Sequence, residues 1–166
     1  MKKKRVLTTM LSCILALSSA NVFANEITMY LNGTEIAPLP EQHQGAVVQD
    51  GTLYLPLRNV FEAMGAIVEY DNTYEEISGG LGGMDYYTTV GAYKVIINGS
   101  VYVLEAPVIT INNRALVVPQ AIVDCFGAAV DWNAGENRVD ITYTPDSETL
   151  FTINLTNEEG NENEVQ

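Results

Sequence analysis

The sequence is poor in the side chains that most often do chemistry. Its 166 residues hold one histidine, His43, and two cysteines, Cys13 and Cys125. One imidazole and one thiol outside the leader segment cannot build a zinc or copper centre from those metals' usual ligands, so no metal and no cofactor is expected. With Cys13 in that leader, Cys125 stands alone and no intramolecular disulfide can form. Positive charge is also scarce: 8 Lys and Arg stand against 21 Asp and Glu, a formal net charge of −13. Four of the basic residues, Lys2, Lys3, Lys4 and Arg5, open the chain, so the remainder carries about −17 by the same count. Such a chain does not bind nucleic acid or an anionic lipid surface by charge. Catalytic patterns are missing too. There is no G-x-S-x-G elbow, no phosphate-loop sequence, and no calcium-loop spacing in the acid clusters Glu69/Asp71, Glu75/Glu76 and Asp131/Asp140. With 21 acids, some pair always looks like a glycosidase couple, so carboxylate pairing carries no signal.

One apolar run stands out, residues 6–18. It comes after the basic cluster and precedes the small-residue site Val22-Phe23-Ala24. Basic start, short apolar core and small-residue end read as a signal peptide over 1–24, too short to span a bilayer comfortably. The chain is expected to be exported, with Asn25 as the new N-terminus and no stable membrane span after cleavage. Residues 25–144 suit one domain. Residues 145–166 form an acidic tail in which 149–155 could add a strand. From Thr156 onward it is Asn- and Glu-rich and too polar to order itself.

The organising feature is a unit that occurs twice. Residues 53–71, LYLPLRNVFEAMGAIVEYD, read as strand, proline, amphipathic helix, glycine stop and strand. Leu57, Val60, Phe61 and Met64 fall at i, i+3, i+4 and i+7, one face of a helix. Pro56 precedes them where a missing N–H costs nothing, and Gly65 comes next, where a left-handed residue ends a helix. Residues 116–133 repeat the scheme, with Pro119, Ile122, Val123 and Phe126 as the stripe and Gly127 as the stop. The copies align without a gap: Leu57 over Pro119, Gly65 over Gly127, Val68 over Val130, Tyr70 over Trp132, Ile77 over Val139. Asn32-Gly33 and Asn98-Gly99 echo each other further upstream. A period of roughly sixty residues is too long for a solenoid and implies a duplicated half-domain.

Short alternating strands with turn residues between them fill the rest. Hairpins are expected around Asn32-Gly33, Asp50-Gly51, Asn98-Gly99 and Asn112-Asn113. Further strands are expected at 67–70, 74–77, 129–132 and 138–143. The fold class is α+β, mainly antiparallel short strands with two short helices packed on the sheet, built from two similar half-units. Residues 78–84, SGGLGGM, read as a flexible loop between the halves. A lesser reading makes it a mobile binding loop beside Tyr86, Tyr87 and Tyr93.

The sequence resembles the copper amine oxidase N-terminal domain-like family, also called stalk domains. The resemblance rests on Asp50-Gly51-Thr52-Leu53-Tyr54-Leu55-Pro56-Leu57-Arg58, Glu62, Gly65-Ala66, Val68 and Tyr70-Asp71. It continues through Ile97-Asn98-Gly99, Ala106-Pro107, residues 113–119, Gly127-Ala128, Val130 and Trp132-Asn133. The second unit departs from the usual form at Gln120 and at Asp124-Cys125-Phe126. The resemblance implies a small secreted α+β module of the bacterial envelope or extracellular space. It implies neither copper nor catalytic residues.

The expected role is therefore non-enzymatic binding or scaffolding, with cell-wall polymer or another secreted protein as partner. The alternatives are a carboxylate-based hydrolase acting on wall glycan or peptide, and an inhibitor or partner of a secreted enzyme. Candidate ligand-surface residues are Tyr70 and Trp132, equivalent aromatics that could present a carbohydrate-binding face; Tyr86 and Tyr87, beside the glycines; and Arg58. The plainer role of Arg58 is an i, i+4 ion pair with Glu62, worth about 0.3 kcal/mol. His43 could in principle meet Cys125, although Cys125 reads first as a small buried apolar residue.

Overall fold

The computed structural model describes residues 26–37 and 45–145. The signal peptide expected at 1–24, the segment carrying His43, the strand suggested at 149–155 and most of the acidic tail lie outside them.

Each Asx-Gly pair turns the chain as its backbone allows. Asn32 and Gly33 both take positive φ, 50° and 81°, and join β1 (Thr28–Leu31) to β2 (Thr34–Glu35). Asp50-Gly51 joins β3 (Val47–Gln49) to β4 (Thr52–Pro56) in the same way. Two consecutive left-handed residues are what a two-residue hairpin with the right twist requires. Then come α1 (Leu57–Ala63), β5 (Ile67–Asp71), β6 (Glu76–Leu81), β7 (Met84–Thr89), β8 (Lys94–Ile97) and β9 (Ser100–Val103). The second unit supplies β10 (Ile109–Ile111), β11 (Arg114–Val117), α2 (Pro119–Phe126), β12 (Ala129–Asn133) and β13 (Arg138–Thr142).

The strands make three sheets, ordered β12-β13-β1-β2, β10-β11-β4-β3 and β5-β6-β7-β8-β9. Each sheet draws on both halves. In the second, β4 and β11, the strands that feed the two helices, pair antiparallel through Leu116↔Pro56 and Val117↔Leu55. In the first, the N-terminal hairpin joins the C-terminal one through a parallel β1–β13 ladder, the exception to an otherwise antiparallel set. Asn32 locks that closure: its Nδ2 donates to the Tyr143 carbonyl at 2.7 Å, and the Tyr143 N–H donates back to its Oδ1 at 3.0 Å. The two halves are thus interleaved rather than set side by side.

The duplication extends into turn geometry. Asp71 closes the β5–β6 turn by accepting from the Thr73 and Tyr74 N–H groups at 2.7 and 3.3 Å. Its counterpart Asn133 accepts from the Gly135 and Glu136 N–H groups at 3.1 and 3.2 Å. Each turn ends on a left-handed residue, Glu75 at φ 54° and Asn137 at φ 50°. Because this turn occupies 72–75, Tyr74 lies in it and β6 begins at Glu76, two residues later than the alternation suggested.

The stripe of α1 is buried as expected, with Leu57, Val60, Phe61 and Met64 all under 5% exposed. That of α2 is not: Val123 is 41% exposed, Pro119 is half-buried, and Ala121, Ile122, Cys125 and Phe126 face the core. The small side chains at Ala121 and Cys125 let that side of the helix approach, so the buried face turns by about one position. The helices meet edge to face through Phe61 and Phe126, with centroids 4.6 Å apart, and Tyr86 and Tyr143 extend the aromatic cluster.

The glycine-rich segment is not a loop. Residues 76–81 are β6, Gly82-Gly83 is a two-residue turn with φ 57° and 79°, and β7 returns antiparallel. The glycines are there for a side chain that crosses them. Tyr86 pairs with Gly79, lies over it, and donates its hydroxyl to the Ile67 carbonyl on β5 at 2.8 Å. A Cβ on Gly79 would overlap that carbonyl oxygen and sit 2.5 Å from the Tyr86 hydroxyl. Strand β7 is also what breaks the internal symmetry. It stands between β6 and β8, whereas their counterparts β13 and β1 pair directly.

Candidate functional site

The interleaving leaves a cleft of about 760 Å³ on one side of α1. One wall is the β4–α1 junction, the second is β5 with the β5–β6 turn, and the third is the tip of the β10–β11 hairpin. That hairpin reaches the cleft because Asn112 and Asn113 both adopt left-handed φ, 51° and 60°, and place Arg114 at the start of the returning strand.

The polar and aromatic side chains of the lining include Arg58, Asn59, Tyr70, Glu75 and Arg114. Arg58 is engaged. Its Nη1 donates to Glu62 Oε1 at 2.9 Å and to the Val68 carbonyl at 2.8 Å, so it ties α1 to the edge strand β5 while bordering the cleft. Arg114 is half-buried, and its guanidinium makes no hydrogen bond, ion pair or ring contact among the described residues. Asn59 is 7% exposed, and its Nδ2 is buried without a hydrogen-bond partner among the described residues. A buried donor without an acceptor costs on the order of 1–3 kcal/mol. Glu75 contributes the cleft's carboxylate, and Tyr70, 39% exposed, lies along it.

Of the residues picked out in the sequence, the structure brings Arg58 and Tyr70 together. Trp132 belongs to β12 in a different sheet, half-buried against the core, so the two equivalent aromatics do not share a surface. Tyr86 is 2% exposed and presents no ligand surface; burial pushes its hydroxyl pKa upward, which keeps it a donor to Ile67. Tyr87 is half-buried, and its hydroxyl donates to Glu76 Oε1 at 2.7 Å, which raises its pKa. Cys125 is buried as a free thiol, with its pKa pushed up to about 12 by desolvation. A protonated, enclosed thiol is no nucleophile.

Asn59 and Arg114 were missed by sequence reading. Asn59 falls on the polar side of the α1 pattern, where an amide carries no signal. Arg114 sits beside a turn, where charged residues are commonplace. A signal was nevertheless available in the repeat: Arg58-Asn59 aligns with Gln120-Ala121. Ala121 is fully buried, so nothing in the shared architecture asks for an amide there.

Among the described residues no group of three or more His, Cys, Asp or Glu could hold a metal ion. No helix among them is long and apolar enough to cross a membrane. No curated protein matches the chain. A family model described as copper amine oxidase N-terminal domain matches residues 30–141, most of the chain, so the chain belongs to that family. The domain is a non-catalytic accessory domain, typically associated with extracellular enzymes. Despite the family's name, the donors among the described residues do not fit copper. The described residues include no histidine, and their one thiol is buried and held protonated.

Proposed function

We propose that this member of the copper amine oxidase N-terminal domain family is a non-enzymatic, exported binding module of the cell envelope or extracellular space. Its ligand-binding surface is the cleft between α1, β5 and the β10–β11 hairpin. The observation that carries the reading is the pair of unengaged donors there, the Arg114 guanidinium and Asn59 Nδ2. Burying Asn59 Nδ2 without a partner lowers stability, and a ligand that accepts from it offsets the loss, while the half-buried Arg114 guanidinium is available to an anion. Burying a ligand's surface in a cleft of this size is ordinary for small-molecule and oligomer sites.

The hydrolase alternative has less support. A glycosidase couple needs two carboxylates facing across the bond to be cut, and the cleft is lined by one, Glu75. An inhibitor needs an exposed loop to present, and the glycine-rich segment 78–84 that could have served is part of a strand hairpin in the sheet. The basic leader and small-residue cleavage site support export.

The test is retention of residues 25–166 on purified cell walls, with and without teichoic acid, at two salt concentrations. Retention that survives removal of teichoic acid supports binding to the wall polymer. Retention in neither preparation overturns the wall-binding form of the reading and directs the search to secreted proteins.

A further inference from the structure

The geometry points to a singly charged carboxylate on a hydroxyl-bearing ring, an acidic sugar, as the ligand class of this cleft. The inference rests on the reading of the cleft as the binding site and adds the chemistry it selects.

The charge distribution comes first. Beyond the leader the chain has four basic residues, Arg58, Lys94, Arg114 and Arg138, against 21 acids. Arg138 is engaged by Asp140 through two hydrogen bonds and lies over the Tyr30 ring at 3.9 Å. Lys94 is exposed on β8. The other two line one cleft. In a chain this acidic, two arginines in one concavity mark the place where an anion is tolerated.

The donors then select the anion. Arg114 offers a planar fork suited to the two oxygens of a carboxylate. Asn59 lines the cleft with an unpartnered amide donor, and its terminal torsion is soft enough to reorient toward a ligand. Glu62 already neutralises Arg58, and Glu75 adds a negative charge to the lining. Arg58 and Arg114 against Glu62 and Glu75 sum to zero, so a singly charged carboxylate on Arg114 leaves the site at −1 where a doubly charged phosphate leaves it at −2, and the smaller charge is favoured. Glu75 is an acceptor and therefore needs donors on the same ligand, which ring hydroxyls provide. Tyr70 offers an aromatic face for the apolar side of a sugar.

The repeat supplies an internal control. The second half carries Gln120 and Ala121 where the first carries Arg58 and Asn59. There Gln120 spends its amide on the backbone, accepting from the Glu105 N–H at 2.8 Å and donating to the Val103 carbonyl at 3.1 Å. Arg58 likewise bonds backbone, at the Val68 carbonyl, so the aligned pair Arg58 and Gln120 serves structure in both halves; the unpartnered donor is one position on, at Asn59, where the second half has the buried Ala121.

The test is an amide-shift NMR titration of the purified protein with a galacturonate disaccharide, the neutral galactose disaccharide of the same linkage, and glycerol phosphate. The expected result is saturable binding of the uronate, with shifts at α1, β5 and the β10–β11 turn, and at least tenfold weaker binding of the other two. Arg114→Gln should weaken the uronate at least tenfold. Asn59→Ala, which copies the residue already accommodated at Ala121, should weaken it several-fold. Lys94→Gln, an equal charge change away from the cleft, should leave it unchanged. Equal binding of the neutral sugar, preference for glycerol phosphate, or an unaffected Arg114→Gln overturns the inference. If the uronate does not bind while cell walls still retain the protein, the acidic-sugar inference fails and the binding-module reading stands. If walls do not retain it either, the acidic-sugar inference and the wall-binding form of the reading both fail.

Discussion

Replacing Gly79 by alanine tests whether Tyr86 is a structural strap. The added Cβ would overlap the Ile67 carbonyl oxygen and crowd the Tyr86 hydroxyl and ring, at 2.5 and 2.8 Å. The carbonyl is main chain and cannot swing away, so β5 must move from β6 at this point, and Tyr86 loses both its room over Gly79 and its acceptor. Losing the Tyr86–Ile67 hydrogen bond costs about 1 kcal/mol. Disturbing the edge contacts of Tyr86 with Phe61 at 5.1 Å and Phe126 at 6.2 Å adds about 0.5–1.5 kcal/mol each. Against this, alanine reduces the freedom of the unfolded chain, which contributes about 0.4–1 kcal/mol in its favour. The net loss is about 2–3 kcal/mol, enough to lower Tm by roughly 10 °C in a domain of this size. Urea and thermal unfolding followed by circular dichroism measure it. Gly135→Ala is the control, because its Cβ would meet Asn133 Oδ1 at 3.4 Å, an ordinary contact. A Gly79→Ala variant within about 0.5 kcal/mol of wild type, the range of a neutral surface substitution, would refute the strap.

Two further predictions concern the repeat and the buried thiol. Glu75 holds a left-handed φ of 54° at a turn position where the other half has Asn137; Glu75→Asn should stabilise the domain by about 0.5–1 kcal/mol in denaturant unfolding, because asparagine tolerates that region better. Cys125, whose pKa is raised by burial to about 12, should resist alkylation at pH 8 until the protein unfolds. Its raised folded-state pKa gives a stability contribution that is complete below the thiol's unfolded pKa. As pH rises from about 9 toward 12, the unfolded chain ionises first and that contribution falls by about 1.4 kcal/mol per pH unit. Cys125→Ala should flatten that part of the stability–pH curve.

Much of the fold was legible because local signals repeated each other. Asn-Gly and Asp-Gly pairs located the hairpins, and the gapless alignment of Leu57 onward with Pro119 onward located both helices and the strands after them. How the halves combine could not be read. The parallel β1–β13 ladder joins residues more than a hundred positions apart, and no local pattern encodes such a pairing. The glycine-rich segment misled because glycine favours both turns and close approach. Four glycines in 78–84 look like a flexible loop until Tyr86 is seen lying over Gly79. The α2 stripe misled for a related reason: Val123 fits the helical spacing, but small residues at Ala121 and Cys125 decide which side packs. The candidate site was legible only at Arg58 and Tyr70. Asn59 and Arg114 become informative through the partners they lack, and that is a property of three dimensions.

The most direct test of the account is to compare wild type and Arg114→Gln for retention on purified cell walls, at matched concentration and salt. If the cleft is the binding surface, wild type is retained and Arg114→Gln elutes with the unbound fraction, while both show the same unfolding midpoint. Equal retention of the two would place binding elsewhere on the molecule and contradict the account.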